Sequence, residues 1–258
     1  MPIAFFDSGV GGLTVFEKLK RILPYENYLY FGDTKNMPYG EKSEEQLIEF
    51  ADKIFRFFEQ KGVKAVVMAC NTTSAVTYER LKDNYNFKIY PIIQSVTGIL
   101  AQLPIERLGI FATPATIKSG VYSREIHKHT PQMQVVGMDC PEWVKIVEGK
   151  KENMRESVEI IQKDLTRMLV NKPEKIVLGC THYPFLLPVL TKFAPEEFFI
   201  DPAIYFAEFI RKDLDANDLL SNSTNGKEKF FVSSSPENFR QAGRMFYPIN
   251  GDVELVEL

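Results

Sequence analysis

Short apolar runs alternate with amphipathic helical periods along this chain, and that alternation restricts the fold more than any other feature. Ile3 to Phe6 (IAFF), Ala65 to Ala69 (AVVMA), Lys88 to Ile93 (KIYPII), Leu108 to Ala112 (LGIFA), Gln134 to Met138 (QVVGM) and Lys175 to Gly179 (KIVLG) read as strands. Several are apolar at consecutive positions, so both faces must be covered, as in a parallel sheet flanked by helices. The clearest intervening helix starts at Ser43 with Gln46 three residues on, the pattern of a capping box. It then places Leu47, Ile48, Ala51, Ile54, Phe55 and Phe58 on one face, and a later helix does the same with Val158, Ile161, Leu165, Met168 and Leu169. The expected class is α/β with largely parallel sheets, where ligands sit at the carboxyl ends of strands. Asp215 to Glu228 (DANDLLSNSTNGKE) is polar enough to be an exposed connection, and the segment after it supplies one more strand and helix.

The chain also resembles itself. VKAVVMACNTTSA and PEKIVLGCTHYPF each carry a strand, a small residue, a cysteine and a polar pair, so Cys70 aligns with Cys180. Upstream, IAFFDSGVGG aligns with LGIFATPATI, pairing Asp7-Ser8 with Ala112-Thr113 at a similar interval before the cysteine. Two pseudosymmetric α/β units follow, and if they face each other the two cysteines approach one cleft from opposite sides. Inverting a stereocentre by proton transfer needs an acid/base group on each face. Thiols suit this work because their ordinary pKa of about 8.5 is readily lowered. Asp7, at a strand end, and His182, beside Cys180, are the groups available to assist.

Other readings of the same residues compete. Cysteine at a strand end is commonly a small buried hydrophobe, and His182 alone fits a structural histidine bonded to the backbone. Zinc held by Cys70, Cys180 and His182 is a weak reading, since no C-x-x-C is present. Cys140, in MDCPEW, lacks a repeat partner and reads as structural. Gly9 to Gly12 (GVGG) matches neither dinucleotide nor P-loop patterns and reads as a tight strand-to-helix turn with close backbone packing. Tyr30 to Gly40 (YFGDTKNMPYG) reads equally as a surface turn or as a substrate lip whose Tyr39 and Gly40 amides meet a carboxylate.

Bulk properties narrow the partners. With 258 residues and 45% apolar content the chain can build two cores. Lys and Arg number 31 against 34 Asp and Glu, for a formal charge of −3 without basic blocks, so nucleic acid and anionic membranes are not expected partners. Three widely spaced cysteines fit reduced thiols in a cytoplasm, and neither a signal peptide nor a membrane-length apolar stretch is visible.

FDSGVGGLTV, YFGDTKNMPYG, ACNTTSA and LGCTHYP, in this order, resemble the glutamate racemase family, and FFVSSSPENFRQAG resembles its closing strand and helix. The resemblance implies a cofactor-independent, metal-free amino-acid racemase that supplies D-glutamate for peptidoglycan, acting as a homodimer in the cytoplasm. Cys70 then matches the thiolate that deprotonates D-glutamate and Cys180 the one that serves L-glutamate. Asp7 and His182 match their respective assistants, and Glu148 an acidic residue near the second cysteine. Ser8, Asn71, Thr72 and Thr181 match groups around the substrate's amino and α-carboxylate ends, with Thr113, Thr116, Asp7 and His182 in the same binding set. Tyr39 and Gly40 match the loop that holds the side-chain carboxylate. The family fold implies a first domain of residues 1–95 plus 208–258 and a second of 96–207, with the active site between them. Ala112 (where Gly is usual), Gln94-Ser95 and Pro202 depart from the family pattern. A related aspartate or hydantoin racemase, or a non-catalytic anion-binding module built on DSGVGG, are the alternative functions.

Overall fold

The computed structural model describes residues 1–258. The chain first lays down β1 (Ile3–Asp7), α1 (Leu13–Ile22), β2 (Tyr28–Gly32), α2 (Glu44–Gln60), β3 (Ala65–Met68), α3 (Asn71–Leu81), β4 (Lys88–Pro91) and α4 (Ile92–Leu100). It continues through β5 (Arg107–Ala112), α5 (Pro114–Ser119), α6 (Val121–His127), β6 (Gln134–Asp139), α7 (Pro141–Glu148), α8 (Arg155–Leu169), β7 (Lys175–Gly179), α9 (Leu187–Leu190) and β8 (Phe199–Ile200). Then α10 (Pro202–Ala216) leads back to β9 (Glu228–Val232), α11 (Pro236–Gly243) and β10 (Val253–Leu255).

Two wholly parallel sheets result, ordered β10-β9-β2-β1-β3-β4 and β6-β5-β7-β8. The repeat seen in the sequence is the repeat of the fold. β2-β1-β3-β4 and β6-β5-β7-β8 have the same order, with β1 equivalent to β5 and β3 to β7. The last strands, β9 and β10, extend the first sheet, so the chain ends where it began.

Alternation along the strands divides the first sheet's core. Ala4, Phe6, Leu29, Phe31, Val66 and Met68 face α2, whose Leu47, Ala51, Ile54, Phe55 and Phe58 are buried against them. The capping box forms: Ser43 Oγ accepts from the Gln46 amide at 3.3 Å and Gln46 Oε1 accepts from the Ser43 amide at 3.1 Å. On the other face, Ile3, Phe5, Tyr28, Tyr30, Ala65 and Val67 belong to a larger core that runs through α4 and α10 into the second sheet's Leu108, Ile110, Val177 and Leu178. The two sheets therefore share one continuous apolar interior.

Several sequence expectations need correction. Ile92 and Ile93 open α4 instead of continuing the strand, because β4 ends at Pro91, which is the N-cap of that helix. Leu169 is 36% exposed, since it closes the last turn of α8 and points off the packed face that holds Ile161, Leu165 and Met168. Tyr30 to Gly32 belong to a central strand, β2, and not to a loop. The departures from the family pattern have local roles. Gln94 Oε1 accepts from Ser74 Oγ at 2.8 Å, and Pro202 occupies the first turn of α10, where a missing N–H costs nothing, behind an Asp201 cap. The polar connection 215–228 is largely exposed but anchored. The Ser221 amide donates to buried Glu26 at 2.7 Å, and Lys64 pairs with Glu26 at 2.6 Å.

Candidate active site

The sheet topology sets the site. β1 pairs with β3 in the first sheet and β5 with β7 in the second, each in parallel, so the carboxyl ends that carry Asp7 and Cys70 lie side by side, as do those that carry Thr113 and Cys180. One cavity of about 320 Å³ lies at these ends, with Cys70 from the first sheet and Cys180 from the second both on its wall. Ser8, Tyr39, Gly40, Asn71 and Thr72 line it from the first sheet's side, and Thr113, Glu148, Thr181 and His182 from the second's. Asp7 and Thr116, both also expected at the site, are fully buried behind the wall and do not line the cavity.

The glycine turn allows this convergence. A Cβ on Gly11 would come within 2.4 Å of Thr181 Oγ1 and 2.5 Å of His182 Cε1, and one on Gly12 within 2.5 Å of Asp7 Cβ. Bare backbone at these positions lets the start of α1 meet the Thr181-His182 segment that follows β7, which agrees with the packing role expected for GVGG.

The two thiols have different surroundings. Cys70 caps α3, a position that favours a thiolate, yet burial and the neighbouring Asp7 carboxylate outweigh that and push its pKa to about 11. Asp7 is itself raised by burial, opposed by the charge of His182. Its Oδ1 accepts from the Gly9 amide at 2.9 Å, while Oδ2 is buried without a partner. Cys180 Sγ lies 3.9 Å from His182 Nδ1, and His182 Nε2 lies 3.0 Å from Glu148 Oε1. Burial alone would lower the imidazole's pKa, but the bonds and charges of Cys180 and Glu148 prevail and lift it to about 10. One thiol thus has a carboxylate behind it and the other an imidazolium beside it.

Hydrogen bonds across the cleft join the halves. Thr72 and Thr113 hydroxyls are 2.8 Å apart, Thr116 Oγ1 lies 3.0 Å from that of Thr113, and the Tyr122 hydroxyl donates to Asn71 Oδ1 at 2.8 Å. Asn71 is left with a buried, unpaired Nδ2 donor on a residue of the cavity wall. Such a group costs free energy unless a ligand accepts from it.

Tyr39 and Gly40 lie in a single 3-10 turn, Tyr39–Glu41, that forms a lip. Tyr39 is buried, and its hydroxyl donates to Asp33, which also accepts from Asn36 and from Ser233 Oγ. Gly40 sits against Thr113, 3.1 Å from where a Cβ would stand. Tyr39 and Gly40 both line the cavity, so this part of the stretch is not an isolated surface turn.

Met37, Pro38, Glu41, Val144, Lys145 and Cys140 also line the cavity and were not among the expected site residues, nor was Tyr122. Val144, Lys145 and Glu148 share the face of α7 opposite buried Trp143 and Ile146, so helical spacing from Glu148 would have found them. Cys140, expected to be only structural, is buried at the N-cap of that helix while touching the cavity. No group of three or more His, Cys, Asp or Glu side chains is arranged to hold a metal ion, and no helix is long and apolar enough to cross a membrane.

Comparison with known proteins matches these features. The family model described as Asp/Glu/Hydantoin racemase matches residues 11–208. A glutamate racemase of Carboxydothermus hydrogenoformans is 37% identical over 260 residues, covering 100% of this chain and 97% of the relative. The crystal structure of a glutamate racemase from Francisella tularensis in complex with D-glutamate superimposes with a TM-score of 0.92 at 31% identity, covering 99% of this chain and 97% of that one. A glutamate racemase isoform from Bacillus anthracis gives a TM-score of 0.94 at 28% identity, covering 100% and 97%. A two-sheet α/β fold with a thiol from each sheet at one cavity is that of an amino-acid racemase, an isomerase. The chain belongs to the Asp/Glu/Hydantoin racemase family.

Proposed function

We propose that the chain interconverts L- and D-glutamate by moving one proton between Cα and two thiols, without pyridoxal phosphate or a metal. The observation that carries this reading is the presence of Cys70 and Cys180, from different sheets, on one cavity wall. In the L-to-D direction the Cys180 thiolate removes the Cα proton, the electron pair passes to the α-carboxylate, and the Cys70 thiol returns a proton to the opposite face. The raised pKa of Cys70 suits that donor role. His182, held by Glu148, keeps positive charge beside Cys180, and Asp7 stands behind Cys70.

A Cα–H beside a carboxylate is a weak acid, so charge developing on the carboxylate needs donors fixed in advance. The unpaired Asn71 Nδ2, the Thr72 and Thr181 hydroxyls and the first amides of α3 serve there, with Ser8, Thr113 and Thr116 setting the substrate's position. The Tyr39-Gly40 lip takes the distal carboxylate. The division into residues 1–95 with 208–258 and 96–207, a homodimer, a cytoplasmic location and supply of D-glutamate for peptidoglycan complete the reading. Support for glutamate over other substrates comes from the relatives named above and from the D-glutamate in the Francisella tularensis structure.

The test is to incubate purified protein, without added cofactor, with L-glutamate, D-glutamate or L-aspartate and follow optical activity. Both glutamate enantiomers should converge on a racemic mixture, and Cys70→Ser or Cys180→Ser should each abolish this. Faster turnover of aspartate, or near-normal racemisation by both variants, would refute the proposal.

A further inference from the structure

The mouth of the cavity carries an ion pair that the chemistry does not use. Lys145, on α7 of the second sheet's side, reaches to 3.7 Å from Glu41, in the lip on the first sheet's side, and to 3.3 Å from Glu142 one turn away on its own helix. Glu41 directly follows Gly40, and both Glu41 and Lys145 line the cavity. Their side chains are 60% and 57% exposed, so neither pays a large desolvation cost and the contact exchanges readily with water or another anion. The remaining charges on the wall, Glu148 and His182, lie 3.0 Å apart deeper in. Lys145 is therefore the cation of the wall that is free to change partner.

We propose that Lys145 is a specificity-determining entrance residue: it leaves Glu41 for the distal carboxylate of an incoming dicarboxylic amino acid and selects that substrate by charge. This deepens the proposed reaction and rests on it. A glutamate entering the cleft carries two carboxylates and one ammonium. The α-carboxylate goes to the buried donors near the thiols and the ammonium to acceptor oxygens beside them, which leaves the distal carboxylate toward the lip. There it meets a cation that otherwise pairs with Glu41. Glu41 has two effects: it keeps Lys145 placed across the mouth, and it competes with substrate for it. A neutral side chain, such as that of glutamine, gains nothing from the exchange.

The variants separate these roles. Lys145→Gln should raise the KM for glutamate about threefold to tenfold at low salt with kcat changed less than twofold, because the loss falls on binding and not on proton transfer. The difference from the unmodified protein should shrink as added salt screens the entrance charge. Lys145→Arg should restore most of the affinity, and Glu41→Gln should lower KM or leave it unchanged. Ability of glutamine to compete with glutamate should rise in Lys145→Gln relative to the unmodified protein. An unchanged KM and unchanged salt dependence in Lys145→Gln would overturn the inference, as would an equal loss from Lys145→Arg. Failure of the unmodified protein to racemise glutamate would instead refute the reaction on which the inference rests.

Discussion

Chemistry at this site depends on what each thiol is buried against. Cys70 has the end of a helix dipole in front and Asp7 behind, and the balance favours the protonated form. Cys180 has an imidazolium whose charge survives burial because Cys180 itself and Glu148 beyond it both favour the protonated ring. Since the His182 pKa is raised above its ordinary 6.5, its charge contributes stability that is fully present below that value and is lost as pH rises through about 10. Thermal melting should therefore show the unmodified protein losing stability relative to His182→Gln between these limits, with parallel curves at lower pH. A second residue-scale prediction concerns Tyr122, whose hydroxyl orients Asn71. Tyr122→Phe removes about 1 kcal/mol of hydrogen bonding and should lower kcat/KM about threefold to tenfold, as initial-rate kinetics would show, without moving the pH profile. The thiols, Asp7 and His182 were legible in the sequence because the repeat singles out the cysteines and the others adjoin strand ends. Tyr122 was not, since its contact with Asn71 joins helices α6 and α3, 51 residues apart in the chain, and leaves no local pattern.

At the scale of elements, the strand-to-helix turns matter most. Gly11 and Gly12 let α1 begin against Thr181, His182 and Asp7, so a methyl group on Gly11 must displace the wall of the cavity and one on Gly12 the buried Asp7 behind it. Gly11→Ala should reduce kcat/KM about tenfold to a hundredfold, since small displacements of reacting groups are expensive in rate. Gly251→Ala, with nothing within 4 Å of the added Cβ, should match the unmodified protein in the same assay. The turn's role was readable because glycines after a strand have a limited set of uses. β2 was less readable: Tyr28–Gly32 runs into a Pro- and Gly-containing loop, and composition does not reveal that the strand sits between β1 and β9. Likewise β8 and β10 have two and three residues, too few to show a period, and are defined by the strands they pair with.

For the whole molecule, duplication explains both the fold and the position of the site. Two units with the same strand order place equivalent strand ends toward one another, and a core that continues through α4 and α10 fixes their relation. Near-symmetry in the backbone carries asymmetry in the side chains: Asp7 corresponds to Ala112, and only Cys180 has a histidine two residues on. An enzyme that interconverts mirror-image substrates can thus use equivalent frameworks with unlike assistants. The central claim is that each thiol serves one face of Cα. Its most direct test follows L-glutamate in heavy water and measures Cα deuterium, at early times, in the remaining L- and the newly formed D-enantiomer. The account predicts deuterium in nearly all of the D-glutamate and little in the recovered L-glutamate, because the thiol that donates is not the one that removed the proton; equal labelling of both enantiomers from the outset would contradict it.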